Sequence, residues 1–316
     1  MNYEDAAQHH AIPSDPLEKT AEDHVKAGRY DEAIHIYQKL IERHPEEDSF
    51  ALALAWAYHD HGQIGDAIDC FEKLFEKEIS RRIFTGFAFD ELVRIFKREG
   101  LYDRLLNLCE RVIAVQPADF ALLGDLAEAC LKTGQAERAA GVYRKMIEME
   151  PEAAVVYCGL GSALLAKDDF TGAEEAYKNA VAVEPEKAAS FYCRLADEYR
   201  RMGHGNHAIE AIGNCLVLNA AEPAYYLMMG DILIESGKID EGTQMYGTAI
   251  RLKPSFAGAY YHRLGNTMSG MAYHEQAANA FRNAMTADPS NPFYRLKLAE
   301  AYVALGRGDL ALELIE

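Results

Sequence analysis

A short motif returns along this chain at an almost constant interval. The six residues from Gly28 to Ala33 have counterparts that begin at Gly62, Gly100, Gly134, Asp168, Gly203, Gly237, Ala272 and Gly306. Successive motifs lie 34 or 35 residues apart, except for one interval of 38. A fixed period of this length is typical of chains built from one repeated supersecondary unit. The sequence therefore predicts nine repeats.

Each repeat carries further residues at fixed distances from the small residue that ends the motif. A bulky residue such as Tyr177 follows four positions later, which places both on one face of a helix. Twelve positions later, six repeats have a proline that stops a helix: Pro45, Pro117, Pro151, Pro185, Pro254 and Pro289. These spacings predict a helix, a tight turn at glycine, a second helix and a break.

The predicted fold class is all-α. Helix pairs joined by short loops are neighbours in space, and pairs that cannot bury their apolar faces alone stack on one another. We expect a right-handed α-solenoid of about nine stacked helix-turn-helix repeats, the last incomplete, after a polar, flexible leader at 1–13. The repeats are expected at 14–47, 48–81, 86–119, 120–153, 154–187, 189–222, 223–256, 258–291 and 292–316. A globular helical protein with glycine and proline recurring by chance is the alternative.

Two departures from the period carry further expectations. Four extra residues around Arg82 to Thr85 predict a local change of superhelical pitch after the second repeat. The ninth repeat stops within its second helix, which predicts exposed apolar surface at Leu310, Leu312, Leu314 and Ile315.

The repeat pattern resembles the tetratricopeptide repeat family, which has small residues at positions 8 and 20, an aromatic residue at 24 and proline at 32 of a unit of 34. The resemblance covers residues 14–316. It implies a helical superhelix that binds other proteins, but it names no partner, because the family includes chaperone adaptors, assembly scaffolds, secretion helpers and regulatory modules.

Charge and hydropathy exclude several other classes of function. The chain has 32 basic and 50 acidic residues, a net charge of -18, which repels nucleic acids and anionic lipids. The N-terminus is acidic where a secretory signal is basic, and no apolar run reaches the ~20 residues of a membrane span. We therefore expect a cytoplasmic protein with no nucleic-acid partner and no integral membrane segment.

No residue pattern indicates catalysis, a cofactor or a metal site. Phosphate-binding, nucleotide-binding, nucleophile-elbow and zinc-protease motifs are absent from the sequence. His59 and His61 lie two positions apart on a predicted helix and point to opposite sides, while His204 and His207 flank a turn and His9 lies in the leader. The six cysteines include no C-x-x-C pair and are expected to be reduced. Cys70, Cys109, Cys130 and Cys215 are expected in the core.

The resemblance also implies which residues contact a ligand. In the family, positions 2, 5, 6, 9, 12 and 13 of each first helix line the concave surface. These positions predict a protein-binding groove lined by Trp56, Asp90, Arg94, Lys97, Leu131, Val155, Cys158, Ser162, Leu165, Arg194, Asp197, Leu227, Met228, Asp231, Arg263 and Asn266.

The centre of the predicted groove is apolar. Val155, Cys158, Leu165, Leu227 and Met228 would form a trough for an amphipathic helix or an extended peptide. The alternative is that these side chains pack against neighbouring helices.

Basic residues in the predicted groove suggest two kinds of acidic ligand, a chaperone C-terminus and an acidic segment. The family's clamp for chaperone C-termini is matched incompletely by His262, Asn266 and Lys297, which argues against that ligand. Arg94, Lys97 and Arg98 form a basic patch for an acidic segment, unless they pair with Asp90 and Glu91 on the same helix.

The sequence thus predicts a non-enzymatic scaffold that binds a peptide or amphipathic helix of a partner protein. Self-assembly through the incomplete ninth repeat or the leader is one alternative, and a regulatory module for an enzyme encoded elsewhere is another. On the first hypothesis, Leu227→Glu or Val155→Glu would abolish partner capture without loss of helix.

Overall fold

The computed structural model describes residues 15–81 and 86–314. These two ranges form eighteen α helices and contain no strand. The all-α prediction and the predicted succession of helix pairs are confirmed. The leader at 1–13, the residues at 82–85 and Ile315 lie outside the described ranges.

The described part of the chain divides into two compact bodies, with the boundary between Val142 and Tyr143. We call them the N-terminal and C-terminal bodies. The described helices of the N-terminal body are α1 Pro16–Lys26, α2 Tyr30–Arg43, α3 Asp48–Asp60, α4 Ile64–Arg81, α5 Phe87–Glu99, α6 Tyr102–Ile113 and α7 Phe120–Lys132, followed by α8 Ala136–Met149, which contains the boundary.

The C-terminal body continues the same alternation of first and second helices. Its helices are α9 Ala154–Leu165, α10 Phe170–Val183, α11 Ala188–Arg201, α12 Gly205–Leu218, α13 Pro223–Glu235, α14 Ile239–Leu252, α15 Ala257–Gly270, α16 His274–Ala287, α17 Pro292–Ala304 and α18 Gly308–Glu313. Short 3₁₀ turns at Pro185–Lys187 and Pro254–Phe256 precede α11 and α15.

The turns inside the helix pairs close in the way that the repeated glycine predicts. After α7, the N–H of Gln135 donates to the carbonyl of Cys130 at 2.7 Å, and the N–H of Gly134 donates to that of Leu131 at 3.1 Å. This is the Schellman arrangement, which requires a left-handed residue, and Gly134 has φ 75°. Asp168 and Ala272 adopt the same region, with φ 60° and 61°.

The small and aromatic residues of the repeat meet inside each pair. A Cβ atom at Gly161 would lie 2.6 Å from the ring of Tyr177, which is fully buried. Gly230 has the same relation to Tyr246, at 2.7 Å. Contact this close leaves no room for a side chain, so the small residues let the second helix press its aromatic residue against the first.

The second repeat departs from the others through the length of its second helix. Helix α4 has 18 residues, whereas α10, α12, α14 and α16 have 14 each. Ile79 stands where six other repeats have proline. No proline ring interrupts the backbone hydrogen bonds there, and the helix continues to Arg81. The absence of proline permits this extension but does not cause it, since Ala220 also replaces proline in the sixth repeat and α12 still ends at Leu218.

Candidate interaction surface

The first helices of the C-terminal body form a row. Helix α9 contacts α11, and α13 contacts α15. The bidentate ion pair of Arg200 with Glu235 joins α11 to α13, and the ring of His262 contacts the ring of Phe293, which joins α15 to α17. We call the exposed side chains of these five helices the first-helix surface.

Three of the residues predicted to form an apolar trough are buried. Cys158 and Leu165 are each 1% exposed and belong to a core cluster that includes Phe191 of α11. Leu227 is 5% exposed and packs in a cluster with Leu264 of α15. The assignment of these three side chains to a ligand surface is therefore wrong.

The reason lies in their place in the repeat. Positions 5 and 12 of a first helix point at the next repeat, so its helices cover them, as the alternative interpretation held. Met228 is half-buried against the cluster that contains Leu195. Val155 alone among the five trough residues is well exposed, at 64%.

A polar network joins α9 to α11 and is centred on Glu198. Its Oε1 atom accepts hydrogen bonds from Ser162 Oγ at 2.6 Å, from Tyr177 Oη at 3.1 Å and from Arg194 Nε at 3.2 Å. Arg194 Nη2 also donates to Ser162 Oγ at 3.0 Å. We call this the Glu198 network.

A second network joins α13 to α15 and is centred on Asp231. Arg263 donates to Oδ2 from Nε at 2.9 Å and from Nη2 at 2.6 Å, and Thr267 donates to Oδ1 at 2.7 Å. The hydroxyl of Tyr246 donates to the same Oδ1. We call this the Asp231 network; its carboxylate is buried, while the Arg263 side chain remains 45% exposed.

Burial and charge act in opposite directions in these networks. Burial lowers the pKa of Arg263, but the Asp231 carboxylate more than offsets it, so the pKa lies above its ordinary value. Burial, followed by the nearby carboxylate, raises the pKa of Tyr177 and of Tyr246. Both tyrosines therefore stay protonated as donors, and both arginines stay charged.

Ion pairs also engage the basic patch that the sequence predicts in the N-terminal body. Lys97 binds Asp125 and Glu128 of α7, each at 2.7 Å. Burial lowers the pKa of Lys97, but these two hydrogen-bonded carboxylates raise it to about 12. Arg94 pairs with Glu91 at 2.9 Å, the alternative that the spacing left open.

The other predicted residues of this body have defined surroundings. Trp56 is half-buried, with its ring edge-on to Phe71 at 5.7 Å. Leu131 is half-buried, and Asp90 is exposed. Burial, followed by repulsion from Asp125, raises the pKa of Asp90.

Histidines, cysteines and lysines supply no assembled ligand set. Within residues 15–81 and 86–314, no three His, Cys, Asp or Glu side chains are grouped so that they could hold a metal ion.

In the same ranges, no helix combines the length and apolar character needed to cross a membrane. Lys297 pairs with Glu300 at 2.7 Å, so it differs from a free clamp residue.

The ligand-accessible part of the first-helix surface therefore differs from the predicted one. Val155, Arg194, Arg263 and Asn266 are exposed, while Ser162 and Asp197 are half-buried, Ser162 within the Glu198 network. Asp197 pairs with Arg201 at 3.0 Å. Sequence reasoning missed Phe293, which is 47% exposed. Its position 2 in the ninth repeat, equivalent to Val155, is the signal that could have found it.

Family models described as tetratricopeptide repeat match the chain over residues 19–77, 91–154, 154–187, 223–256 and 292–316. Together these matches cover more than half of the chain. A curated protein of Mycosarcoma maydis, "Small glutamine-rich tetratricopeptide repeat-containing protein 2", is 29% identical over 92 residues. The match covers 29% of this chain and 26% of that protein, so this chain spans about a quarter of that relative.

Two of the solved structures that resemble this chain are the following. The MamA protein is 24% identical, with 52% of this chain and 89% of that chain covered, at a TM-score of 0.37. A tetratricopeptide repeat protein from Parabacteroides merdae ATCC 43184 is 13% identical, with 90% and 97% covered, at a TM-score of 0.40.

Proposed function

The chain belongs to the tetratricopeptide repeat family, and we propose that it acts as a non-enzymatic scaffold whose first-helix surface binds a peptide or amphipathic helix of a partner protein. The repeats in general indicate a protein-interaction scaffold. The observation that supports this particular surface is the pair of polar networks, which hold Arg194 and Arg263 at the same repeat position while leaving each side chain more than two-fifths exposed.

The networks favour binding because they fix the helices before a ligand arrives. Each carboxylate holds a guanidinium group in one geometry, so less side-chain entropy is lost on binding. Arg194 Nη1 and Arg263 Nη1 take no part in the hydrogen bonds of the two networks. Acidic side chains of a ligand are therefore the expected partners of the two arginines.

Apolar contacts would add to the affinity. Val155 and Phe293 are exposed on α9 and α17, and burial of an apolar ligand side chain is worth about 1.5–3 kcal/mol. Three such contacts would contribute about 4.5–9 kcal/mol before the costs of association are subtracted, so the polar contacts to the arginines are needed as well. Six free cysteines fit a reducing compartment, so we place this function in the cytoplasm.

The test compares two exposed valines on different helices of the C-terminal body. Val155 is on first helix α9, and Val217, which is 86% exposed, is on second helix α12. Val155→Glu should weaken capture of the partner from a lysate of the source organism at least tenfold, whereas Val217→Glu should leave it unchanged. Equal capture by both variants, or loss with Val217→Glu alone, would contradict the proposed surface.

Self-assembly is the second candidate function, and one observation favours it. Leu296 and Val303 occupy positions 5 and 12 of the ninth repeat, and they are 47% and 63% exposed. Their equivalents Cys158 and Leu165 are buried by the following repeat. Light scattering across a concentration series decides: association that Leu296→Asp abolishes supports it, and a monomer at every concentration excludes it.

A further inference from the structure

Two cysteines of the sixth repeat lie side by side. Cys193 is on α11 and Cys215 is on α12, and their sulfur atoms are 3.2 Å apart. A disulfide bond is about 2.05 Å long, so the sulfurs would need to approach by roughly 1 Å. The two helices are the packed partners of one pair, so both cysteines lie in the same helix contact.

The surroundings give the two thiols different roles. Cys193 is half-buried at the edge of the core cluster, so it is the more exposed of the two cysteines. Cys215 is fully buried, and its sulfur lies 3.3 Å from the carbonyl oxygen of Ala189. The hydrogen bond from Cys215 lowers the pKa of the Cys193 thiol, although burial opposes this. The attacking thiolate is therefore expected at Cys193.

We propose that Cys193 and Cys215 are a reversible oxidation site that forms a disulfide in the presence of hydrogen peroxide. The Cys193 thiolate attacks one peroxide oxygen, which gives a sulfenic acid and releases hydroxide. The Cys215 sulfur then attacks the Cys193 sulfur, the S–S bond forms, and the hydroxyl group leaves as water with the Cys215 proton. The hydroxide takes up the proton that Cys193 lost on ionisation, so that two thiols lose two electrons in total and peroxide is reduced to two molecules of water.

The site lies where the sixth repeat meets the seventh. Tyr225, Met228 and Met229 of α13 pack against the core cluster that contains Cys215. A disulfide would tie α11 to α12 beside this contact and restrict opening of the helix pair. Because a covalent link removes entropy from the unfolded chain, the oxidised protein should resist heating better than the reduced protein.

The fifth repeat provides a matched comparison inside the same chain. Cys158 occupies the repeat position of Cys193, but Ala180 stands where Cys215 stands in the sixth repeat. Cys158 is buried and has no cysteine opposite it on the partner helix. The repeat geometry alone therefore makes no dithiol; the pair needs cysteine at both positions.

The test treats the full reduced chain with hydrogen peroxide and measures thiols and peptides. Thiol titration of the unfolded protein should show the loss of two thiols, and non-reducing peptide mass mapping should show one link between the peptides of Cys193 and Cys215. Dithiothreitol should reverse both changes. Loss of thiols with no such link, or a link between other cysteines, would overturn the proposal.

Three variants complete the experiment. Cys193→Ser should abolish the link, and Cys158→Ser should leave it intact. Cys215→Ala introduces the residue that stands at the same position in the seventh and eighth repeats, Ala249 and Ala284, so this variant should fold but form no link. Peroxide should raise the melting temperature of the wild type by a few degrees and of Cys215→Ala not at all; equal shifts would contradict the disulfide.

Discussion

The Glu198 and Asp231 networks perform one task with exchanged residues. In the Asp231 network the carboxylate is on the earlier helix, α13, and the hydroxyl of Thr267 is on the later one. In the Glu198 network the hydroxyl of Ser162 is on the earlier helix, α9, and the carboxylate is on α11. The arginine and the tyrosine keep the same repeat positions in both.

The exchange shows that the same four groups are present at both helix contacts, although the carboxylate stands at a different repeat position in each. One carboxylate, one hydroxyl, one arginine and one tyrosine satisfy each other in either order. Burial distinguishes the two networks: the Asp231 side chain is 4% exposed and the Glu198 side chain 12%. Substitutions in the Asp231 network should therefore have the larger effects.

The largest effect is expected for Asp231→Ala. The change leaves the buried hydroxyl of Tyr246 without its acceptor and Arg263 without its counter-charge, so the free energy of unfolding should fall by about 2–4 kcal/mol. Urea unfolding followed by circular dichroism measures it. Asp240→Ala, an exposed carboxylate on α14, is the control and should change stability by less than about 1 kcal/mol.

Glu198→Ala should have a smaller effect of about 1–2 kcal/mol, because water reaches this carboxylate more readily and can replace part of the lost hydrogen bonding. The same urea titration applies. The control is Asp197→Ala, which removes an ion pair with Arg201 near the surface and should cost below about 1 kcal/mol. If Glu198→Ala lowered the free energy of unfolding as much as Asp231→Ala does, burial of the carboxylate would not explain the difference between the two networks.

A double substitution tests the exchange itself. Ser162→Asp with Glu198→Thr copies the order of the Asp231 network into α9 and α11. The double variant should be about 1 kcal/mol more stable than Glu198→Thr alone, because the new carboxylate meets Arg194 and Tyr177. Ser162→Asp alone should destabilise, since it places two carboxylates together. Additive effects in this double-mutant cycle would show that the two orders are not equivalent.

The smallest effects are expected for Tyr177→Phe and Tyr246→Phe, at about 0.5–1.5 kcal/mol each. Burial raises the pKa of both hydroxyls. The unfolded tyrosine therefore loses its proton first, and this part of the stability is lost as the pH rises above about 10. The stability gap between wild type and Tyr246→Phe should narrow between pH 9 and 11; a constant gap would contradict the assigned direction.

The sequence predicted contacts inside a helix pair better than contacts between pairs. Gly161 and Tyr177 lie on the two helices of one pair, which the short turn between them brings together. Cys158 and Leu165 were misplaced because their burial depends on Phe191 and its neighbours in the next repeat. The position of a residue within its repeat therefore does not determine whether the next repeat buries it.

The networks could have been found from the sequence only by comparing repeats in pairs. Ser162 and Asp231 share one repeat position, and neither residue type alone signals a network. The pairing becomes visible when each is set beside the residue at position 10 of the following repeat, Glu198 or Thr267. That step needs the stacking geometry, which the structure supplies.

Asp168 and Ala272 hold the left-handed turn without glycine, at a local cost of about 1 kcal/mol or more. Packing of the two adjoining helices must therefore impose the bend on whatever residue stands there. A substitution can therefore remove the glycine, the most recognisable residue of the repeat, while the left-handed turn keeps its shape. In this chain glycine stands at seven of the nine turns and an aromatic residue at six of the nine equivalent positions of the second helices, so neither residue type by itself identifies every repeat.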